Sequence, residues 1–243
     1  MIEITPEELI NILKDNLDYI LELSILQEPQ LCKKPVHKFE RAFIDDENFC
    51  LIYYEADDPE IIFAAYNSNI FEKILREYNI CKTIFYGENG NGELHESYYY
   101  KSELCSPTER QNMNIRLLNI NDKNLADPQN GDDYLNIIFE DFIKNKIWND
   151  CGIIGIFDEL NNFTGYLAYY ELAENIRDVS YTYIKREFRK SGYAKKLLNY
   201  FKNKNIQENK ISYYSYAVDE ASANLAKSCG FTSCAQRYEQ EIT

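Results

Sequence analysis

Histidine is nearly missing from this chain: only His37 and His95 occur among 243 residues, beside one tryptophan and two methionines. Chemistry that cycles protons through an imidazole has little to draw on, and neither histidine lies near a motif. The seven cysteines (32, 50, 81, 105, 151, 229 and 234) are odd in number and hold no CxxC pair. Structural zinc uses close cysteine or histidine pairs, so no metal is expected, and the thiols read as free in a reducing compartment. No run approaches the ~20 apolar residues of a membrane-spanning helix. The first residues, Met1-Ile2-Glu3-Ile4-Thr5-Pro6-Glu7-Glu8, put acids where a secretory leader carries bases. A cytoplasmic protein with no membrane partner is expected.

Basic residues are also in deficit. Lysine and arginine number 26 against 40 acids, a net charge of −14. That balance repels a polyanion and argues against nucleic acid as a partner. The deficit is uneven. Lys185 to Lys210 holds nine basic residues and two acidic ones, net +7, so the remainder carries −21. A basic island in an acidic chain suits a small phosphate-bearing ligand, although some of these lysines must form a solvated helix face.

No exact repeat or low-complexity run divides the chain. The polar stretch Ser106 to Asn114 marks the expected boundary, giving an N-terminal α/β domain over 1–110 and a second domain over 111–243. In the second, Asp132 to Lys146 reads as a helix with Leu135, Ile138, Phe139 and Phe142 on one stripe. Strands follow at Gly152–Phe157, Gly165–Leu172 and Val179–Ile184, the first two joined by a turn at Asn161-Asn162. A helix over Ser191–Lys204 carries Ala194, Leu197, Leu198 and Phe201 on one face. Ile211–Val218 is a further strand. Asp219 caps a short helix ended by Gly230, and one or two strands fill Phe231–Ile242. The first domain mixes helices (Pro6–Leu26, Asn69–Tyr78) with strands (Phe49–Tyr54, Cys81–Tyr86, Ser97–Lys101). Strands and helices in this order predict an α+β fold, a mixed central sheet with flanking helices.

Chemistry concentrates at Arg189-Lys190-Ser191-Gly192-Tyr193-Ala194, which joins a strand to the first turn of a helix. Backbone amides there have no partner within the helix, and the helix dipole adds positive potential, so the loop suits a phosphate or diphosphate. Gly192 lets a ligand approach the backbone without a Cβ in the way. Neither a P-loop nor a dinucleotide glycine fingerprint is present.

These residues resemble the R/Q-x-x-G-x-G/A signature of the GNAT superfamily of N-acetyltransferases. Ile184 stands five positions before the signature, the apolar helix face follows it, and Asp219-Glu220-Ala221-Ser222 with Gly230-Phe231 resembles the family's N-x-x-S/A and G-F. The resemblance covers about Asn114 to Thr243 and implies a GNAT-like acyl-CoA N-acyltransferase fold, with acetyl-CoA held where two parallel strands splay. It implies that the backbone of Tyr183, Ile184 and Lys185 pairs with the pantetheine arm. The diphosphate would sit on Arg189, Lys190, Ser191, Gly192, Tyr193 and Ala194, with Asp219 and Ser222 by the lower arm. Asp219 departs from the family asparagine, and a carboxylate cannot donate the hydrogen bond to the cofactor that an asparagine amide can.

Acyl transfer to an amine needs a neutral amine, a polarised thioester carbonyl and a protonated leaving thiolate. Direct attack needs no nucleophilic residue, in keeping with a chain lacking Ser-His-Asp or Cys-His arrangements. Asp178, six residues before Ile184, is the first candidate base, and Glu171 the second; an exposed structural acid is the competing reading of Asp178. Ala226 occupies the place where the resemblance implies a thiolate-protonating tyrosine, leaving Tyr181 and Tyr216 as substitutes. The acidity elsewhere favours a cationic acceptor, a small-molecule or peptide amine. Two readings of the first domain stand, a degenerate acyltransferase-like half or an unrelated lid. The alternative function is a CoA-binding or regulatory module without strong catalysis.

Overall fold

Thr5-Pro6-Glu7-Glu8 opens the first helix as its residues dictate. Thr5 Oγ1 accepts from the Glu8 amide, the Glu8 carboxylate accepts from the Thr5 amide, and Pro6 occupies the first turn. The computed structural model describes residues 1–87, 92–101, 114–126, 134–215, 220–234 and 236–242. They form two units, one of Met1–Gln30, Lys34–Ser97 and Ser233–Thr243, the other of Leu31–Lys33 and Tyr98–Thr232.

The first unit contains β1 (Ile2–Ile4), α1 (Pro6–Leu13), α2 (Ile20–Leu31), β2 (His37–Asp45), β3 (Asn48–Glu55), β4 (Ile62–Tyr66), α3 (Glu72–Leu75), β5 (Ile80–Tyr86) and β6 (Glu93–His95). The single helix expected over Pro6–Leu26 is two. After Lys14 the Asn16 side chain accepts from the Asp18 amide, which starts a separate 3-10 turn and diverts the chain. The second unit contains β7 (Tyr98–Tyr100), β8 (Asn114–Leu117), α4 (Tyr134–Ile138), β9 (Cys151–Phe157), β10 (Phe163–Ala173), β11 (Ile176–Ile184), α5 (Tyr193–Gln207), β12 (Ile211–Tyr214), α6 (Glu220–Ser228) and β13 (Thr232–Ser233). A final strand, β14 (Arg237–Glu241), belongs to the first unit. Beyond α4, Phe139–Lys144 continues as a π-helical turn.

The sheets repeat one order. The first runs β1-β2-β3-β4-β5-β14-β6 and the second β8-β9-β10-β11-β12-β7-β13. In each, the first four strands are antiparallel, the fourth and fifth are parallel, and the sixth is antiparallel to the fifth. The sixth strands are exchanged along the chain: β7 follows β6 yet pairs with β12, and β14 follows β13 yet pairs with β5. The division therefore follows strand pairing, whereas the sequence reading drew a single cut near residue 110.

In the second unit, alternation along β9 and β10 supplies two cores. Ile154, Ile156, Leu167 and Tyr169 meet Leu197, Leu198 and Phe201 of α5 and Ala223 and Ala226 of α6. Ile153, Phe157, Tyr166 and Ala168 meet Leu135, Ile138, Phe139 and Phe142. Leu197, Leu198 and Phe201 are fully buried, each contributing roughly 1.5–3 kcal/mol by removal from water. Among the described residues no helix is long and apolar enough to cross a membrane.

Candidate functional site

The parallel pair of each unit behaves differently. In the first unit β4 is matched to β5 along its whole length, Ile62 to Tyr66. In the second, among the described residues, β11 matches β12 over Ile176, Arg177 and Asp178, opposite Ile211, Ser212 and Tyr213, and Tyr214 has no partner in β11. A cavity of about 600 Å³ lies beyond these pairs, walled by β11, the loop after it, the start of α5, Tyr214 and α6. That size suits a small-molecule ligand.

Asp178 is the last residue of β11 paired with β12. It is buried, and its carboxylate accepts from the Ser215 amide at 2.9 Å and the Ser215 hydroxyl at 2.6 Å. Burial pushes its pKa up to about 7, against the pull of the Ser215 bonds. Two residues on, β11 carries a bulge: Ala168 faces Tyr181 and Tyr169 faces Val179, so Ser180 has no opposite number. A bulge frees backbone groups from the ladder and re-aims them.

The loop into α5 has the geometry its composition predicts. Gly192 caps the helix at φ 79°, a left-handed conformation that favours glycine, and a Cβ there would meet no described atom within 4 Å. Among the described residues no side chain caps the 15-residue helix, and its first turn holds no acid; Lys195 and Lys196 stand there instead. Cations at the positive end of a helix dipole repel it, an arrangement that an anion at the uncapped amides would relieve. Arg189 Nε donates to the Ile184 carbonyl at 2.9 Å, and its guanidinium lies 5.9 Å from the Tyr183 ring centre, holding the loop against the end of β11.

Tyr183, Ile184, Arg189 and Lys190 line the cavity, and so do Gly192, Tyr193, Ala194 and Ser222. Lys185 and Ser191 are not in its wall. The Lys185 amide donates to the Thr164 carbonyl at 2.9 Å, so the alternation of the strand turns the amides of Thr182 and Ile184 to the open edge. Asp219 and Tyr216 lie outside the described residues. Asp178 is not in the cavity wall. Glu171 is elsewhere: it accepts from Lys210 at 2.7 Å and from the Asn175 amide at 3.2 Å at the β10–β11 hairpin. The basic island is partly committed to structure, since Lys202 is buried against the Tyr100 ring at 4.0 Å and bonds the Cys229 carbonyl.

Sequence reasoning missed Thr182, Phe188, Tyr214 and Leu225 as lining residues. Thr182 and Leu225 carry no motif, but strand alternation from Ile184 points to Thr182. Its Oγ1 is buried without a hydrogen-bond partner among the described atoms, a polar group that a ligand in the cleft would satisfy. Among the described residues no group of three His, Cys, Asp or Glu side chains is placed to hold a metal ion.

The model of the acetyltransferase (GNAT) family matches residues 118–231. No curated protein matches the chain in sequence. Among solved structures, a GNAT-family acetyltransferase from Colwellia psychrerythraea is 12% identical, with TM-score 0.56, 96% of this chain and 97% of the other being covered. A GCN5-related N-acetyltransferase from Kribbella flavida is 9% identical, with TM-score 0.55 and coverage of 92% and 95%. A Drosophila protein is 10% identical, with TM-score 0.58 and coverage of 99% and 98%. At these identities the likeness is one of fold, and it extends over both sheets. The match to the GNAT acetyltransferase family model, residues 118–231, falls on the stretch that holds the parallel pair β11–β12 and the glycine loop.

Proposed function

We propose that this protein is an acetyl-CoA-dependent N-acetyltransferase that passes the acetyl group to a primary amine by direct attack. The observation that carries the reading is the uncapped, lysine-flanked start of α5 at the mouth of a cleft between parted strands. The diphosphate of acetyl-CoA rests on the amides after Gly192, with Arg189 and Lys190 beside it. The pantetheine arm pairs with the open edge of β11 at Thr182 and Ile184, and Ser222 lies along the same wall. The thioester carbonyl reaches the bulge at Ser180, where a freed backbone amide polarises it.

Asp178 is the proposed base. A carboxyl near 7 is matched to accepting a proton at neutral pH. Ser215 engages both its oxygens, so the amine's proton reaches Asp178 through the Ser215 hydroxyl, which can donate and accept at once. The acceptor is a cationic amine, a small molecule or peptide drawn by the −21 that the chain carries outside the basic segment. The first unit, with the same strand order but a fully matched parallel pair, is a second copy of the fold that has lost its cleft.

One observation favours a binding module without turnover: Ala226, fully buried, fills the place of the family tyrosine. Mixing the protein with acetyl-CoA and a panel of polyamine, amino-sugar and peptide amines, and measuring thiol release, separates the two. Release that depends on an amine supports the enzyme. Binding of acetyl-CoA with no release on any amine supports the module.

A further inference from the structure

We infer that the Tyr214 hydroxyl protonates the leaving thiolate and that Ser222 orients it. The inference rests on the acetyltransferase reading above. Four described tyrosines line the cavity: Tyr181, Tyr183, Tyr193 and Tyr214. Three are turned to other work. Tyr181 stacks on Tyr134 at 5.2 Å, both Tyr181 and Tyr183 pack against Tyr166 on the opposite face of the sheet, and Tyr193 packs on Phe188 beside the glycine loop. Tyr214 alone among them follows directly on Tyr213, the last residue of β12 paired with β11. Its side chain therefore stands where the strands begin to part, at the end of the cleft where the bulge at Ser180 lies.

The hydroxyl is held. Tyr214 Oη and Ser222 Oγ are 2.8 Å apart, and both residues line the cavity. The ring is fixed edge-on to Phe231 at 6.3 Å and is mostly buried. A tyrosine hydroxyl carries a proton at neutral pH, unlike a carboxylate, so it arrives ready to donate. Ser222 is able to accept from that hydroxyl or donate to it, so it steadies the phenol before and after the proton leaves.

The neutral amine nitrogen attacks the thioester carbonyl carbon and forms the C–N bond. On collapse the C–S bond breaks and its electron pair goes to sulfur. The Tyr214 proton passes to that sulfur, giving the free CoA thiol, and the tyrosinate regains a proton from solvent. The surplus proton of the former amine leaves towards Asp178.

The test uses Tyr214→Phe, which removes one oxygen and keeps the ring contact with Phe231. CoA carrying ¹³C at the thiol-bearing carbon is bound to each protein, and the label's shift is followed against pH. The bound thiol should ionise at least about one pH unit lower in the wild type than in Tyr214→Phe, because a donor to sulfur stabilises the thiolate. Turnover with acetyl-CoA and any accepted amine should fall roughly 100-fold in Tyr214→Phe, with acetyl-CoA affinity retained. Ser222→Ala should lose less, and Ser222→Thr should restore the rate. Equal thiol titration in wild type and Tyr214→Phe overturns the assignment while leaving the acetyltransferase reading intact. Failure of the wild type to bind CoA at all overturns that reading, and this one with it.

Discussion

Asp178 and Ser215 fasten β11 to β12 just past the last residues the strands pair, Asp178 with Tyr213. A carboxylate takes over from the backbone ladder at the point where the ladder stops, and the cleft opens beyond it. Burial pushes the carboxyl from its ordinary 3.8 to about 7. Glu22 in the first unit is likewise pushed by burial to about 7, although the Tyr86 hydroxyl donates to it at 2.6 Å.

A pH dependence of stability results. Between about 4 and 7 the folded state holds these two protons and the unfolded chain releases them, so stability falls as pH rises through that window. In Asp178→Asn the amide oxygen still accepts from the Ser215 amide, and the new N–H donates to the Ser215 hydroxyl. That variant should fold, and its melting temperature should fall less than the wild type's between pH 4 and pH 7. Glu22→Gln should act the same way. Thermal melts at pH 5 and pH 8 decide it, and unchanged slopes in both variants would contradict the burial argument. If Asp178 is the base, Asp178→Asn should also bind acetyl-CoA normally while turnover drops by roughly 10²-fold or more.

Much of the second unit was legible from residues alone. Strand and helix periodicity gave β9, β10, β11 and α5 close to their bounds, because each buries a whole face and composition must then follow the period. The glycine loop was legible because backbone geometry restricts which residue can stand at φ 79°. Other features were not. β2, with His37, Lys38, Glu40 and Arg41 among its nine residues, is too polar to read as a strand, and pairing with β3 decides it. The exchange of β7 and β14 was hidden because strand partners are set by tertiary contact and not by local sequence. Tyr214 was one of 21 tyrosines, and nothing in its neighbours marks the parting point.

Gly192 offers a separation of conformation from charge. Gly192→Ala places a side chain in the left-handed region but meets no described atom, so it should cost about 1 kcal/mol of stability and weaken acetyl-CoA severalfold. Gly192→Asp adds an anion where the diphosphate is proposed to rest and should abolish binding. Urea unfolding and titration calorimetry on the same pair of proteins check both effects.

Arg177 holds the opposite end of β11. Nearly buried, it donates to Asp150 at 2.7 and 2.9 Å and to Asn205 at 3.0 Å, pairs with Glu208, and lies 5.2 Å from the Tyr169 ring centre. Asp150 is pushed up by burial, but bonds from Lys210 and Arg177 outweigh this and hold its pKa below the usual range. Arg177→Met leaves part of that acidity unmatched and should cost about 3 kcal/mol, less than a fully buried pair because Glu208 is partly exposed. A loss below about 0.5 kcal/mol in urea unfolding would show that water replaces the arginine freely.

A fragment beginning at residue 111 lacks Tyr98–Tyr100 and so leaves the β12 edge without its antiparallel neighbour. Exposed edges invite association. Residues 111–243 alone should be aggregation-prone and should not bind acetyl-CoA, whereas the full chain remains dispersed. Light scattering and calorimetry on the two proteins check this, and a monomeric, acetyl-CoA-binding fragment would contradict it.

In the proposed function, amides at the start of α5 grip the diphosphate of an acyl-CoA. Calorimetric titration with acetyl-CoA, beside a short acetyl thioester of N-acetylcysteamine that lacks the diphosphate, isolates that grip. The wild type should bind acetyl-CoA, the short thioester should show no measurable binding, and Gly192→Asp should lose acetyl-CoA binding. Equal heats from wild type and Gly192→Asp, or none from the wild type, would contradict it.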